Sequence, residues 1–272
     1  TGAIYTNVNA TPTSASPSEP KNGGGDAFKT VWFTFVAPSS GAVRVSTDVG
    51  SGNSLTDSRV AIYSATNPSD YNTFTCISTD EDGGYLLSSG FMSVVYATGL
   101  ISGNTYYVQV GTYGSSTTTG TFCMTVDEMN SLMLALTATC ASTPQSIFGT
   151  NPTYTGWVPI LDASSKLIAL VKNPTGASPG TYTNLDQNIN SGAVRTDGAG
   201  KRYLDRNYSF SNPTAGPYDL QLFFLTSERD ALAFVDPSAA TLTNLNVTRD
   251  PGVACKTFPT GVDNTLLTQQ SS

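Results

Sequence analysis

The feature that most restricts this chain is a recurrence of short runs of β-branched and aromatic residues, each closed after a few positions by turn chemistry. The stretch VWFTFVAPSSGAVRVST, from Val31 to Thr47, sets the pattern. Val31 to Val36 is one run, Pro38 to Gly41 supplies a turn, and Val43 and Val45 then alternate with Arg44 and Ser46. This spacing predicts a hairpin with one wet face. A hairpin cannot bury an apolar face alone, so further strands must pack across it. The sequence offers them at 59–64, 73–79, 92–97, 105–112 and 120–127, separated by clusters such as Asn67-Pro68-Ser69-Asp70 and Ser102-Gly103-Asn104. With an extended opening over Ala3 to Asn9, the first half is expected to be an antiparallel β-sandwich.

The second half keeps the all-β character without repeating the sequence. Runs at 156–161 and 167–172 flank the turn Asp162 to Ser165. Runs at 193–197 and 203–210 flank Gly198-Ala199-Gly200, with Asp197-Gly198 as a hairpin signal, and YDLQLFFL at 218–225 is the most apolar strand. Ser227 to Asp230 reads as a capping box ahead of a short helix over 231–235, stopped by Asp236-Pro237. The expected fold class is therefore all-β: two consecutive antiparallel β-sandwich domains, with one short helix in the second. The expected boundaries are 1–127, 128–256 and a polar linker over 257–272. The stretch from Glu128 to Ala141 fits a linker, a further strand, or the first strand of the next domain.

Composition narrows the function. The chain contains no histidine, so Ser-His-Asp and Cys-His nucleophile systems are impossible within it and the commonest general base is missing. One Ser-x-x-Lys, Ser18 to Lys21, lies across Pro20 in a segment without helical pattern, and Gly23-Gly24-Gly25 lacks the Lys-Ser/Thr of a phosphate loop. A net charge of −7 with no basic stripe argues against nucleic acid and against an anionic membrane surface. No apolar run is long enough for a membrane-spanning helix. No enzyme activity is expected.

Four cysteines, Cys76, Cys123, Cys140 and Cys255, show no C-x-x-C spacing. An even count with few charged residues fits two structural disulfides in an exported protein. Of the possible pairings, Cys76 with Cys123 and Cys140 with Cys255 keeps each bridge within one expected domain. The acidic turn Thr79-Asp80-Glu81-Asp82-Gly83-Gly84 is the clearest site signal. Adjacent carboxylates repel one another unless they are solvated or neutralised, and calcium takes its oxygens from such loops. Asp57, Asp80, Glu81 and Asp82 are the expected calcium ligands, with Asp48 as a further candidate.

Among the aromatics, Trp32, Phe33 and Phe35 are expected to pack. Tyr85, Tyr106, Tyr107, Tyr154 and Trp157 are candidates for stacking on sugar rings. Asp197, Arg202, Asp205 and Arg206 are expected to form a surface salt-bridge network. Sequons at Asn9, Asn207 and Asn246 are explained by chance.

The order Trp32, Phe33, Phe35, Ala37, Pro38, Gly41 followed by an alternating strand resembles the bacterial pre-peptidase C-terminal domain. The version most similar is the one in large secreted surface proteins of the Bacteroidetes. The resemblance continues through RVAIYS at 59–64, Cys76 with DEDGG at 80–84, MSVVYATGL at 92–100, TYYVQV at 105–110 and GTFCMTV at 120–126. VRTDGAGKRYLDRNYSF and LTNLNVTRDPGVAC are similar to a module that follows that domain in the same proteins. The resemblance implies that the segment around Glu19-Pro20 is ordered against the sandwich and that calcium sits at a loop-end acidic cluster. It further implies a non-enzymatic adhesin or structural segment of a secreted cell-surface protein, exported by the type IX route. Its partners would be an extracellular glycan or protein, or other copies of itself. A filament or surface-layer subunit accepting the Ala3 to Asn9 strand of a neighbour, and a carbohydrate-binding accessory of a secreted hydrolase, are the alternatives.

Overall fold

A computed structural model describes residues 3–11, 19–21, 28–50, 52–84, 91–114, 118–136, 157–162, 164, 166–172, 184–189, 192–197, 200–204, 206–211, 219–249 and 265–266. Among the described residues, eight strands build the first half: β1 (Ala3–Thr6), β2 (Phe28–Val36), β3 (Val43–Ser46), β4 (Ser58–Ala65), β5 (Phe74–Asp80), β6 (Val94–Ala97), β7 (Thr105–Thr112) and β8 (Thr121–Glu128). They form two four-stranded antiparallel sheets, ordered β1-β8-β3-β6 and β2-β7-β4-β5. The sheets do not close into a barrel. Alternate residues of each strand turn inward, so Val43 and Val45 from one sheet meet Val60, Ile62, Val108 and Val110 from the other. Phe122 and Met124 complete this core, with Tyr5, Phe33 and Phe35 packed at its margin.

The opening hairpin is a correction. β2 pairs with β7, whereas β3 pairs with β6 and β8, so the two strands belong to facing sheets. Their connection is an arch. Gly41 N–H donates to Pro38 O at 3.0 Å, Leu100 N–H donates to Gly41 O at 2.9 Å, and Ala37 N–H donates to Asn104 O at 2.9 Å. Gly41 has φ +63°, and a Cβ there would lie 2.5 Å from Leu100 O. A period-2 pattern is satisfied equally by a neighbour in the same sheet and by a strand opposite, so local sequence cannot choose between hairpin and arch.

The second half contributes β9 (Val158–Leu161), β10 (Leu167–Lys172), β11 (Asn184–Ile189), β12 (Arg195–Thr196), β13 (Arg202–Tyr203), β14 (Arg206–Ser211), β15 (Asp219–Leu222) and the helix α1 (Thr226–Val235). β15-β10-β9 form one antiparallel sheet, β11 pairs with β14, and β12 with β13 makes the hairpin signalled by Asp197-Gly198. Strand β11 carries no alternation that would mark it. The helix begins earlier than its expected cap. Leu225 is the capping residue, and Glu228 Oε2 accepts from its backbone N–H at 2.6 Å, which is half of a capping box because leucine has no side-chain acceptor. Part of the expected linker also pairs: β17 (Thr265–Leu266) lies beside β16 (Thr248–Arg249).

The halves meet through a continuous apolar seam. Met129, Met133 and Leu134 leave β8 and join Val94 and Tyr96 of the sandwich to Leu161, Leu167 and Leu170 of the β9–β10 sheet. Backbone bonds support it. Leu167 N–H donates to Met133 O at 2.7 Å, Ala135 N–H donates to Leu167 O at 2.9 Å, and the buried Gln187 side chain donates to Ala135 O at 2.8 Å. Among the described residues no helix is long and apolar enough to cross a membrane.

Candidate functional site

The acidic residues gather at one end of the sandwich because β4 and β5 run antiparallel, with Val60 opposite Asp80. This register brings Asp57, just before β4, alongside Glu81 and Asp82, just after β5. Beneath them lies a hydroxyl network buried in the sandwich. Thr47 Oγ1 and Ser58 Oγ are 2.7 Å apart, and Ser93 Oγ donates to Ser58 O at 2.7 Å and lies 3.1 Å from Asp80 O.

Each carboxylate has its own task. Asp80, 2% exposed, accepts at Oδ2 from Val94 N–H at 2.7 Å and Gly83 N–H at 2.9 Å, tying β5 to the start of β6. Glu81 pairs with Arg59 at 2.7 Å, and the same guanidinium lies 4.8 Å from the centre of the Tyr113 ring. Asp82 and Asp48 are buried, at 6% and 1% exposure. The two glycines of the turn are required by close approach: a Cβ on Gly83 would stand 2.7 Å from the Asp80 oxygens, and one on Gly84 would stand 2.4 Å from Met92 O.

Asp57 is the strained member. Burial first, then Asp82 and Glu81, push its carboxyl up from the ordinary 3.8 to about 7, against the pull of Arg59. Its Oδ1 is buried and accepts no hydrogen bond. Glu81 is raised as well, chiefly by burial, with Arg59 opposing.

The four expected calcium ligands lie at this one end of the sandwich. Among the described residues no three aspartate, glutamate or cysteine side chains form a group that could hold a metal ion. Asp80 turns to backbone amides and Glu81 to Arg59, so Asp57, Asp80, Glu81 and Asp82 share an end of the sandwich without converging on one point. The sequence displays three adjacent acids but gives no sign that an arginine and two amides will claim two of them.

Cys76 and Cys123, expected to pair, are not bridged. Cys123 is a free buried thiol on β8, in close contact with Gly50, whereas Cys76 is exposed on β5 at the edge of the opposite sheet. Facing sheets stand about 10 Å apart, and a thiol turned away from the core cannot span that gap. Cys140 and Cys255 lie outside the described residues, as do Ser18, Asp205, Tyr85 and Tyr154.

The aromatics divide by face. Phe33 and Phe35 pack on the core as expected, and Tyr106 is buried there, its ring stacked on Phe35 at 5.8 Å. Trp32 packs on the outer face of the second sheet instead. It stacks with Tyr71 at 5.6 Å and meets Phe74 edge-on at 5.4 Å, while Tyr107 lies 5.1 Å from Phe74. Glu19, Pro20 and Lys21 cross this face. Thr30 Oγ1 donates to Glu19 Oε2 at 2.5 Å, Gln109 donates to the Pro20 carbonyl at 3.3 Å, and the buried Tyr63 hydroxyl donates to Lys21 O at 3.2 Å. Trp157, a candidate sugar platform, packs against the seam.

The described members of the expected mixed-charge network each have a defined partner. Arg206 makes a bidentate pair with Glu228 of α1 at 2.9 and 3.1 Å, Arg202 donates to Val235 O, and Asp197 accepts from Lys201 N–H inside its own hairpin. Glu228 thus both caps the helix and anchors β14, a link invisible in sequence because the partners lie on different elements. A cavity of about 200 Å³ opens beside the seam, lined by Arg44, Tyr96, Leu132, Met133 and Lys166 among others. Arg44 is held there by Asp127 at 2.8 Å. Compared with family models, with curated proteins and with solved structures, the chain matches none.

Proposed function

We propose that this chain is a non-enzymatic structural or adhesive segment of a secreted surface protein. The sandwich and the sheet that follows act in it as one body. The observation that carries this reading is the apolar seam joining Val94 and Tyr96 to Leu161, Leu167 and Leu170. A spacer or adhesin must transmit its orientation from one unit to the next, and a buried seam does so where a solvated linker would not. The absence of histidine from the sequence supports the reading against acyl-transfer and acid–base enzymes. Its partners would be an extracellular glycan or protein.

A cation at the acidic end belongs to the same proposal in a limited form. What supports it is the crowding at Asp57, whose carboxyl is raised first by burial and then by repulsion from Asp82 and Glu81. What weighs against it is that the side chains stand apart as they are. The test is the melting of the purified chain in calcium and in chelator, run beside incubation with protein and glycan substrates. The reading expects one cooperative unit and no cleavage of any substrate. Cleavage of a peptide or glycosidic bond by this chain alone would overturn it, and equal melting in calcium and chelator would remove the cation.

A further inference from the structure

The first sheet is closed on one side by the chain's own N-terminal strand, and the manner of closure points to a partner. Of the four residues of β1, Tyr5 turns inward, meeting Phe33 edge-on at 4.7 Å and lying 6.0 Å from Phe122. Two positions on, Asn7 is 1% exposed. Its Oδ1 accepts from Gly120 N–H at 2.8 Å, its Nδ2 donates to Lys29 O at 3.3 Å, and its backbone N–H donates to Gly120 O at 3.2 Å. A ring and a polar clamp on one face thus fix the register from Ala3 opposite Met124 to Thr6 opposite Thr121. A one-residue slip would turn Tyr5 to solvent, so the groove along β8 is selective for this strand.

Among the described residues two further side-chain bonds retain β1: Thr6 Oγ1 donates to Gly120 O at 3.2 Å, and Lys29 Nζ donates to Ala10 O at 3.1 Å. The strand stands last in the sheet order with β8 as its one strand neighbour, and Ile4 and Val8 are 64% and 50% exposed. Beyond Ala10, the next point where the described chain is anchored is Glu19–Lys21, on the outer face of the other sheet. From Thr11 to Glu19 a fully extended chain reaches at most about 29 Å.

We propose that β1 is exchangeable, and that the groove along β8 accepts the N-terminal strand of a second copy of this chain. An exchanged strand makes the same contacts as the chain's own, so exchange costs only the difference between intramolecular and intermolecular closure. Donor strand and acceptor edge are different surfaces, so reciprocal exchange closes two copies into a dimer, and successive exchange links copies head-to-tail. A short tether sets an effective concentration of about 1 mM, which keeps the strand at home in dilute solution and releases it where copies are crowded. This partner is argued from the sheet edge and does not rest on the surface role proposed above.

The test uses the whole chain carrying Ile4→Cys. Ile4 stands opposite Cys123, so mild oxidation ties β1 to whichever β8 it occupies. Above about 1 mM the expected result is linked dimers or a longer ladder of linked chains on a non-reducing gel, absent from the wild type. An internal bridge alone at that concentration overturns the proposal. A second measurement adds a synthetic peptide of residues 1–11 to a chain lacking residues 1–10. Saturable binding of one peptide per chain is expected, weakened about thirtyfold or more by Tyr5→Ala in the peptide. No binding by a truncated chain that still melts cooperatively also overturns it.

Discussion

Replacing Asp57 by asparagine should stabilise this protein above neutral pH. The carboxyl of Asp57 is raised to about 7 in the folded chain against 3.8 ordinarily, first by burial and then by Asp82 and Glu81. The sign follows from proton counting. Between pH 4 and 7 the folded state holds a proton that the unfolded state has released, so stability falls as pH rises through that window and the loss is complete above about 7. At about 1.4 kcal/mol per decade the ceiling is near 4 kcal/mol. Asp57 keeps partial contact with water, and screening reduces the effect to about 1–2 kcal/mol. The neutral amide of the variant would carry no charge and remove that cost. In chelator at pH 8 the variant should melt about 3–6 °C above the wild type, and at pH 4 the two should coincide. Some slope survives in the variant because Glu81 is raised too. A variant that melts below the wild type at pH 8 without metal would refute the reasoning, since it would mean that the ionised carboxylate stabilises the fold.

Other substitutions probe the same account elsewhere. Asp80→Ala strips the acceptor from two buried amides and should cost about 2–4 kcal/mol by denaturant unfolding, with Asp80→Asn recovering part of it. Phe122→Ala opens the centre of the sandwich and should cost about 3–5 kcal/mol. Leu161→Ala, buried in the seam, should split a single calorimetric transition into two. Because Cys123 carries a free thiol, reductant should leave the melting of the sandwich unchanged, whereas a Cys76–Cys123 bridge would make it fall.

What the sequence reveals here is the set of strands, and what it conceals is their neighbours. The run Thr105 to Thr112 announces itself by alternation and turn residues, and the strand β7 has those bounds. Val31–Val36 and Ala42–Thr47 are equally legible as strands, yet whether they lie side by side or face to face depends on β7 and β8, some seventy residues away. Trp32 shows the same limit. Its neighbours in sequence point to the core, while period 2 sends it to the opposite face, where Tyr71 and Phe74 cover it. At the acidic turn, crowding is visible in DEDGG, but the sharing-out of carboxylates depends on Arg59 and on the amide of Val94, which only pairing of β4 with β5 and the return of β6 bring near.

The central claim, a structural segment displayed at a cell surface, is tested most directly by antibody labelling of intact cells that produce this protein, compared with permeabilised ones. Equal labelling of both, lost when intact cells are treated with an impermeant protease, is the expected result. Labelling that appears only after permeabilisation would contradict it.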